Sequence, residues 1–183
     1  MLAAMSVAVS ADGIYVAGAL GQSKANLECD GTTVCDDADI GFKMLVGSRI
    51  TPTIALEAGY VNFGKVSMAG NYGGYQAIAA FESHGMLVNG AFRYAATPAF
   101  SLVGRVGISV LRTTVSGAVA GYSNVSDDKV AVSPYLGLGM EYALTKTLRL
   151  TADADFTEAE GELRGNSDSA SVQLMSIGLQ YAF

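Results

Sequence analysis

The chain has 183 residues, half of them hydrophobic and only 15% charged, with a formal net charge of -6 and a mean hydropathy of +0.33. That length fits one domain. The acidic balance argues against nucleic acid or an anionic surface as partner, since both want Lys and Arg, and no unbroken apolar run approaches the about 20 residues a spanning helix requires.

Hydrophobicity is instead dispersed along alternating segments. A membrane strand needs only about 9 to 11 residues, and such strands close into a barrel because no backbone group can stay unpaired in hydrocarbon.

Residues 1–11, M-L-A-A-M-S-V-A-V-S-A, look like the end of a secretory signal peptide, an apolar run closing on Val9-Ser10-Ala11 before Asp12. The charged n-region is missing, the first Lys or Arg being Lys24. Two readings stay open: a residual signal from a clipped or late-started precursor, and a frayed N-terminal extension. In both, the folded domain is 12–183.

Strict alternation then marks the strands. The first, about Gly13 to Ser23, sets Ile14, Val16, Gly18 and Leu20 against Tyr15, Ala17, Ala19 and Gly21. The second, about Asp39 to Ile50, sets Ile40, Phe42, Met44 and Val46 against Gly41, Lys43, Leu45, Gly47 and Arg49. Thr51-Pro52-Thr53 turns the chain into a third strand, about Ile54 to Lys65. A fourth around Met86 to Tyr94 ends at the turn by Pro98, and a fifth runs from Phe100 to Val110. The sixth, Tyr135 to Leu144, and the seventh, Leu148 to Phe156, flank Thr145-Lys146-Thr147. In the eighth, Met175, Ile177, Leu179, Tyr181 and Phe183 form an apolar file against Ser176, Gly178 and Gln180.

The links alternate in length. Short turns fall near Pro52, Pro98 and Lys146, whereas 24–38, 66–81, 113–130 and 158–169 are long and polar or Gly-rich. Short periplasmic turns and longer extracellular loops are the outer-membrane pattern, and an even strand number puts both termini on the periplasmic side. A soluble lipocalin-type barrel also alternates, with its apolar file pointing inward. The second file here is largely Gly, Ala and Ser with a few charges, which suits the cramped lumen of an eight-stranded barrel better than a solvated surface. The fold class is therefore all-β: an eight-stranded antiparallel up-and-down transmembrane barrel.

The runs Gly41 to Tyr60 (G-F-K-M-L-V-G-S-R-I-T-P-T-I-A-L-E-A-G-Y), Ser133 to Thr145 (S-P-Y-L-G-L-G-M-E-Y-A-L-T) and the terminal Y-A-F resemble the OmpA-type transmembrane barrel of Gram-negative bacteria. The resemblance implies an outer-membrane protein whose last strand, through Leu179, Tyr181 and Phe183, is read by the barrel-assembly machinery. Many members carry a peptidoglycan-binding periplasmic domain after the barrel; this sequence carries none, so cell-wall tethering is not transferred.

By parity Lys43, Glu57, Arg105, Glu141, Asp153 and Asp155 point inward, with Arg49, Arg93 and Arg149 near the short-turn mouth. An isolated buried ion costs several kcal/mol, of order, unless paired. The expectation is that Lys43 and Arg105 are bridged to Glu57, Glu141 and Asp153. The family is similar in having a luminal ion-pair network that obstructs its channel, with Glu57, Arg105 and Glu141 where its charges sit. Two of its basic positions are replaced here, one by Asn89 or Gly90 and one by Thr151.

Other chemistry is thinly supported. Glu57 and Glu141 as an acid and base pair lack a concave site. Small outer-membrane barrels can resemble lipid A deacylases, which need paired Ser and His, but Ser83 and His84 are adjacent and so face opposite sides of a strand. Cys29 and Cys35 share the first long link, and in an oxidising compartment two such cysteines form a disulfide. The carboxylates Glu28, Asp30, Asp36, Asp37 and Asp39, with Glu158, Glu160, Glu162 and Asp168, match no EF-hand spacing and read as solvated acidic loops, so no metal and no cofactor is expected. Phe92, Tyr94, Phe100, Tyr142, Tyr181 and Phe183 gather near the short-turn end, and Phe42 and Phe156 near the loop end, as interface belts do.

The reading is a monomeric, non-enzymatic outer-membrane barrel with a structural or surface role, a polar and largely occluded lumen, and outer-membrane lipid and lipopolysaccharide as surroundings. A narrow porin-like channel for ions or small solutes is the alternative, and a lipid A-modifying enzyme the third.

Overall fold

Period-two alternation requires two different environments on the two faces of each strand, and the computed structural model supplies them by rolling the sheet closed. It describes residues 13–26, 34–36, 38–72, 75–119, 125–163 and 166–183. Eight long strands, β1 (Ile14–Ala25), β3 (Ala38–Arg49), β4 (Ile54–Tyr72), β5 (Tyr75–Ala95), β6 (Phe100–Val119), β7 (Val125–Ala143), β8 (Leu148–Leu163) and β9 (Asn166–Ala182), accompany a short β2 (Val34–Asp36). Each long strand pairs antiparallel with its neighbour, and β1 pairs with β9 from Tyr15↔Ala182 to Ala25↔Val172, which closes the ring. Strand β2 runs on from β3 along the same edge of β4, paired with Ser67 to Ala69.

The three short connections share one construction. In each, a threonine hydroxyl three residues before the next strand accepts the first strand N–H: Thr51 Oγ1 from Ile54 N at 2.9 Å, Thr97 Oγ1 from Phe100 N at 2.9 Å, and Thr145 Oγ1 from Leu148 N at 3.0 Å. The carbonyls of Ile54, Phe100 and Leu148 close the turns from the other side.

The long links expected over 66–81, 113–130 and 158–169 are corrected by the structure. Most of these residues are strand, so that β4 and β5 stay paired out to Tyr72↔Tyr75, β6 and β7 to Gly117↔Val125, and β8 and β9 to Leu163↔Asn166. Alternation fades there because the hairpins continue past the apolar belt, where neither face must be greasy.

One bulge also breaks the parity. Phe63 and Gly64 lie between the pairs Asn62↔His84 and Lys65↔Glu82, and Gly64 has φ +74°, a left-handed backbone that glycine adopts without penalty. Asp39 braces it, accepting Lys65 N at 2.6 Å, while Asn62 Oδ1 accepts Gly64 N at 2.7 Å.

The closed sheet turns its apolar file outward. Leu136 is 57% exposed and Glu57 only 3%. The outward file of β6 from Phe100 to Val110 spans, at about 3.3 Å per residue and a tilt of about 40°, about 25 Å of height, the thickness of the apolar band of an outer-membrane barrel. At the loop end exposed Lys24, Lys65, Glu82, Arg112, Asp128 and Glu158 bound it. At the short-turn end it finishes on Phe92, Tyr94, Tyr142, Tyr181 and Phe183, the last two ring to ring at 5.2 Å.

Candidate functional site in the barrel interior

A β-strand aims alternate side chains into the barrel, so residues from opposite walls meet wherever glycines leave room. Tyr15 on β1 faces Gly47 on β3, which faces Glu57 on β4, which faces Asn89 on β5. A Cβ on Gly47 would fall 2.2 Å from the Tyr15 ring. Without one, Tyr15 passes over β3 and donates to Glu57 Oε1 at 2.6 Å, while Asn89 Nδ2 donates to Glu57 Oε2 at 2.7 Å.

From Glu57 the chain of contacts crosses the interior. Arg105 on β6 donates through Nε to Glu57 Oε2 and through Nη1 to Asp153 Oδ1 on β8, both at 2.8 Å. Lys43 on β3 reaches the same wall, 3.4 Å from Asp153 Oδ2 and 2.5 Å from Asp155 Oδ2. Tyr135 donates to the other oxygen of Asp155. Gly139, paired with Asp153, makes this possible, because a Cβ there would stand 2.2 Å from Asp153 Oδ1 and 3.0 Å from Arg105 Nη1. The belt thus holds Glu57, Asp153 and Asp155 against Lys43 and Arg105, all buried. The hydroxyls of Tyr15 and Tyr135 take up the carboxylate oxygens the cations leave, and the Asn89 amide shares Glu57 Oε2 with Arg105, as buried ions require.

Glu141 departs from expectation. Instead of Lys43 or Arg105 it meets the mouth arginines: its Oε1 accepts from Arg93 Nη2 at 2.7 Å and its Oε2 stands 3.7 Å from Arg149 Nη1. The cause is register: Glu141 pairs with Thr151, one inward step nearer the short turns than Asp153. Asp155, Tyr15, Tyr135 and Asn89 were not among the expected network. Their signal was available, since a tyrosine on an inward file of Gly and Ala must find a partner for its hydroxyl.

Toward the loop end the interior changes character. Leu45, Val61, Phe63, Leu87, Leu111 and Leu174 form a buried apolar cluster against Tyr135, with Ser109 and Thr157 paired at 2.6 Å and Ser83 and Thr113 at 2.7 Å nearby. A lumen of Gly, Ala, Ser and ions describes the short-turn half better than this one.

Ser83 is inward and buried, whereas His84 faces outward beside Tyr60, ring centroids 6.2 Å apart. Leu179, Tyr181 and Phe183 stand exposed along the outer face of β9 and the chain end. Cys29, Glu28, Asp30, Asp37 and residues 1–12 lie outside the described residues, as does the side chain of Cys35. Asp39, among the supposed loop acids, is committed to the β4 bulge.

An apolar exterior around an ionised, hydrogen-bonded interior, with every barrel strand paired on both sides, defines an integral membrane protein that crosses by strands. The family model of the OmpA-like transmembrane domain matches residues 9–183, and the chain belongs to that family of Gram-negative outer-membrane barrels. It is 25% identical over 186 aligned residues to outer membrane protein A of Salmonella typhi, covering 99% of this chain and 51% of that protein. The chain therefore spans about half the length of the curated relatives it matches. Its fold is similar to Neisserial surface protein A (TM-score 0.65, 16% identity, covering 93% of this chain and 97% of that one). It is also similar to OprG of Pseudomonas aeruginosa (TM-score 0.61, 14% identity, covering 93% and 96%).

Proposed function

We propose that the protein is a monomeric structural or surface barrel whose interior is closed to ion flow. The observation that carries this reading is the unbroken line of contacts from Tyr15 through Glu57, Arg105, Asp153 and Lys43 to Asp155. An ion entering the lumen must break charge-assisted bonds in a low-dielectric interior. The apolar cluster toward the loops offers it nothing in return.

The remaining parts of the reading follow from chemistry. The short turns and both termini face the periplasm, the apolar belt meets lipid and lipopolysaccharide, and Leu179, Tyr181 and Phe183 serve the barrel-assembly machinery. A non-enzymatic role is part of this reading, supported by the one Ser and His pair of the lipid-facing kind: Ser83 bonds Thr113 inside while His84 lies on the outer face, so the two do not act together as nucleophile and base.

Single-protein conductance in planar bilayers tests this. The unmodified barrel is expected to show no stable openings, and Arg105→Ala is expected to introduce them. Stable openings of the unmodified protein, unchanged by Arg105→Ala, would establish the channel reading instead.

A further inference from the structure

One seam of the barrel wall stops short of its neighbours. Strands β7 and β8 are laddered only from Ala143↔Arg149 to Tyr135↔Thr157, whereas β7 stays paired with β6 out to Val125 and β8 with β9 out to Leu163. Pro134, the next residue of β7, ends the pairing. Its carbonyl points toward β8, where the Thr157 hydroxyl, not a backbone N–H, donates to it at 2.9 Å. The N–H that proline lacks is therefore one that the β7–β8 ladder needed.

Extended residues turn their peptide groups to alternate sides, so Val132 and Val130 aim theirs at the same open side as Pro134. Both valines face outward and are 64% exposed, below the exposed Asp128 that bounds the apolar belt. From Pro134 to Val130 the seam covers, at about 3.3 Å per residue and a tilt of about 40°, about 10 Å of height inside that belt. A sheet edge open to hydrocarbon is what membrane strands do not sustain. Just beyond, the seam is acidic. Asp127 is exposed on β7 and Glu158 on β8, and Glu160 and Glu162 follow in the sequence of the β8 tail.

We propose that this seam receives one extended segment of a partner protein as a strand added to β7, apolar where it lies beside Val130 and Val132 and basic where it passes Asp127 and Glu158. Backbone pairing supplies the attraction, and the acidic rim selects the partner. The proposal goes beyond the closed-lumen reading and does not depend on it.

Nuclear magnetic resonance of the backbone amides tests it, with the full chain folded in maltoside detergent and a synthetic ten-residue probe carrying valine at alternate positions and lysines in one half. In the free protein the Val130 and Val132 amides are expected to exchange with water faster than Leu138 on the same edge of β7. With the probe they are expected to shift saturably and to exchange about tenfold more slowly or beyond, and glutamates in place of the lysines to weaken saturation by about tenfold. Pro134→Val restores the missing donor and is expected to extend the β7–β8 ladder and abolish the response. Val132→Pro removes a donor that faces away from β6, and is expected to abolish the response while the barrel keeps its mobility shift on heating in gels. Slow exchange at Val132 in the free protein, with proton contacts to Glu160, would mean that the seam closes on itself and would overturn the proposal. So would a barrel that passes the gel test and ignores the probe, equal binding of the glutamate probe, or concentration-dependent shifts at Val130 and Val132 without probe, the sign of a second copy.

Discussion

Leu138 and Arg105 occupy neighbouring positions on paired strands, Leu138 one residue beyond the Gly137 that pairs with Arg105, yet the leucine is 66% exposed and the arginine 4%. That inversion of the usual burial order is the signature of a protein whose outer solvent is hydrocarbon, and each expectation below depends on it.

Arg105 holds Glu57 and Asp153 at once. Removing it by Arg105→Met leaves two buried carboxylates without that partner, and the expected loss is about 3 to 5 kcal/mol, read from urea unfolding in lipid vesicles. Adding Glu57→Gln and Asp153→Asn to the same chain is expected to recover much of the loss, because the uncompensated charge then disappears.

The lipid face should penalise charge by depth. Leu138→Arg, in the middle of the outward β7 file, is expected to destabilise the folded barrel by about 2 to 4 kcal/mol, and Tyr142→Arg, near the short turns, by about 0 to 1 kcal/mol. Equal effects at the two positions in vesicle-based unfolding would contradict a bilayer centred on Leu138.

Gly139 tests the packing of the ionic belt. An alanine there collides with Asp153 and crowds Arg105, so Gly139→Ala is expected to lower stability by about 1 to 3 kcal/mol. Gly104→Ala adds a methyl where nothing lies within 4 Å and is expected to change stability by less than about 0.5 kcal/mol.

Beyond the belt, exposed Asp128 accepts from Thr114 Oγ1 at 2.6 Å and Arg112 Nη2 at 2.5 Å. These bonds, the threonine first, hold its carboxyl below the ordinary aspartate value. A depressed folded value means that the pair's stabilising contribution is present above the unfolded value and fades as pH falls through the folded one. A carboxyl titration followed by nuclear magnetic resonance is expected to place the Asp128 midpoint below that of a free aspartate, and Thr114→Ala to move it upward.

Much of this was legible in the sequence because a barrel wall enforces parity wherever one face meets lipid. Tyr15, Glu57, Arg105 and Asp153 all fall on the inward file that alternation assigns. What escaped was set by three dimensions. The Gly64 bulge flips inside and outside along β4, so Phe63 and Val66 both point inward and alternation could not be followed into the hairpin tails. Partner choice within the lumen depends on the stagger between strands, which separated Glu141 from Arg105 and gave Lys43 to Asp155. The recurrent threonine at 51, 97 and 145 was visible as text, but its role as an acceptor at each turn is a fact of backbone geometry.

The chain contains no tryptophan, which allows single reporters to be placed without background. The most direct test compares Leu138→Trp with Tyr135→Trp in bilayers whose acyl chains carry bromine. Strong quenching of the tryptophan at 138 and weak quenching at 135 is the expected result. Fluorescence at 138 that ignores brominated chains but is quenched by acrylamide from water would contradict the placement of the apolar file in hydrocarbon.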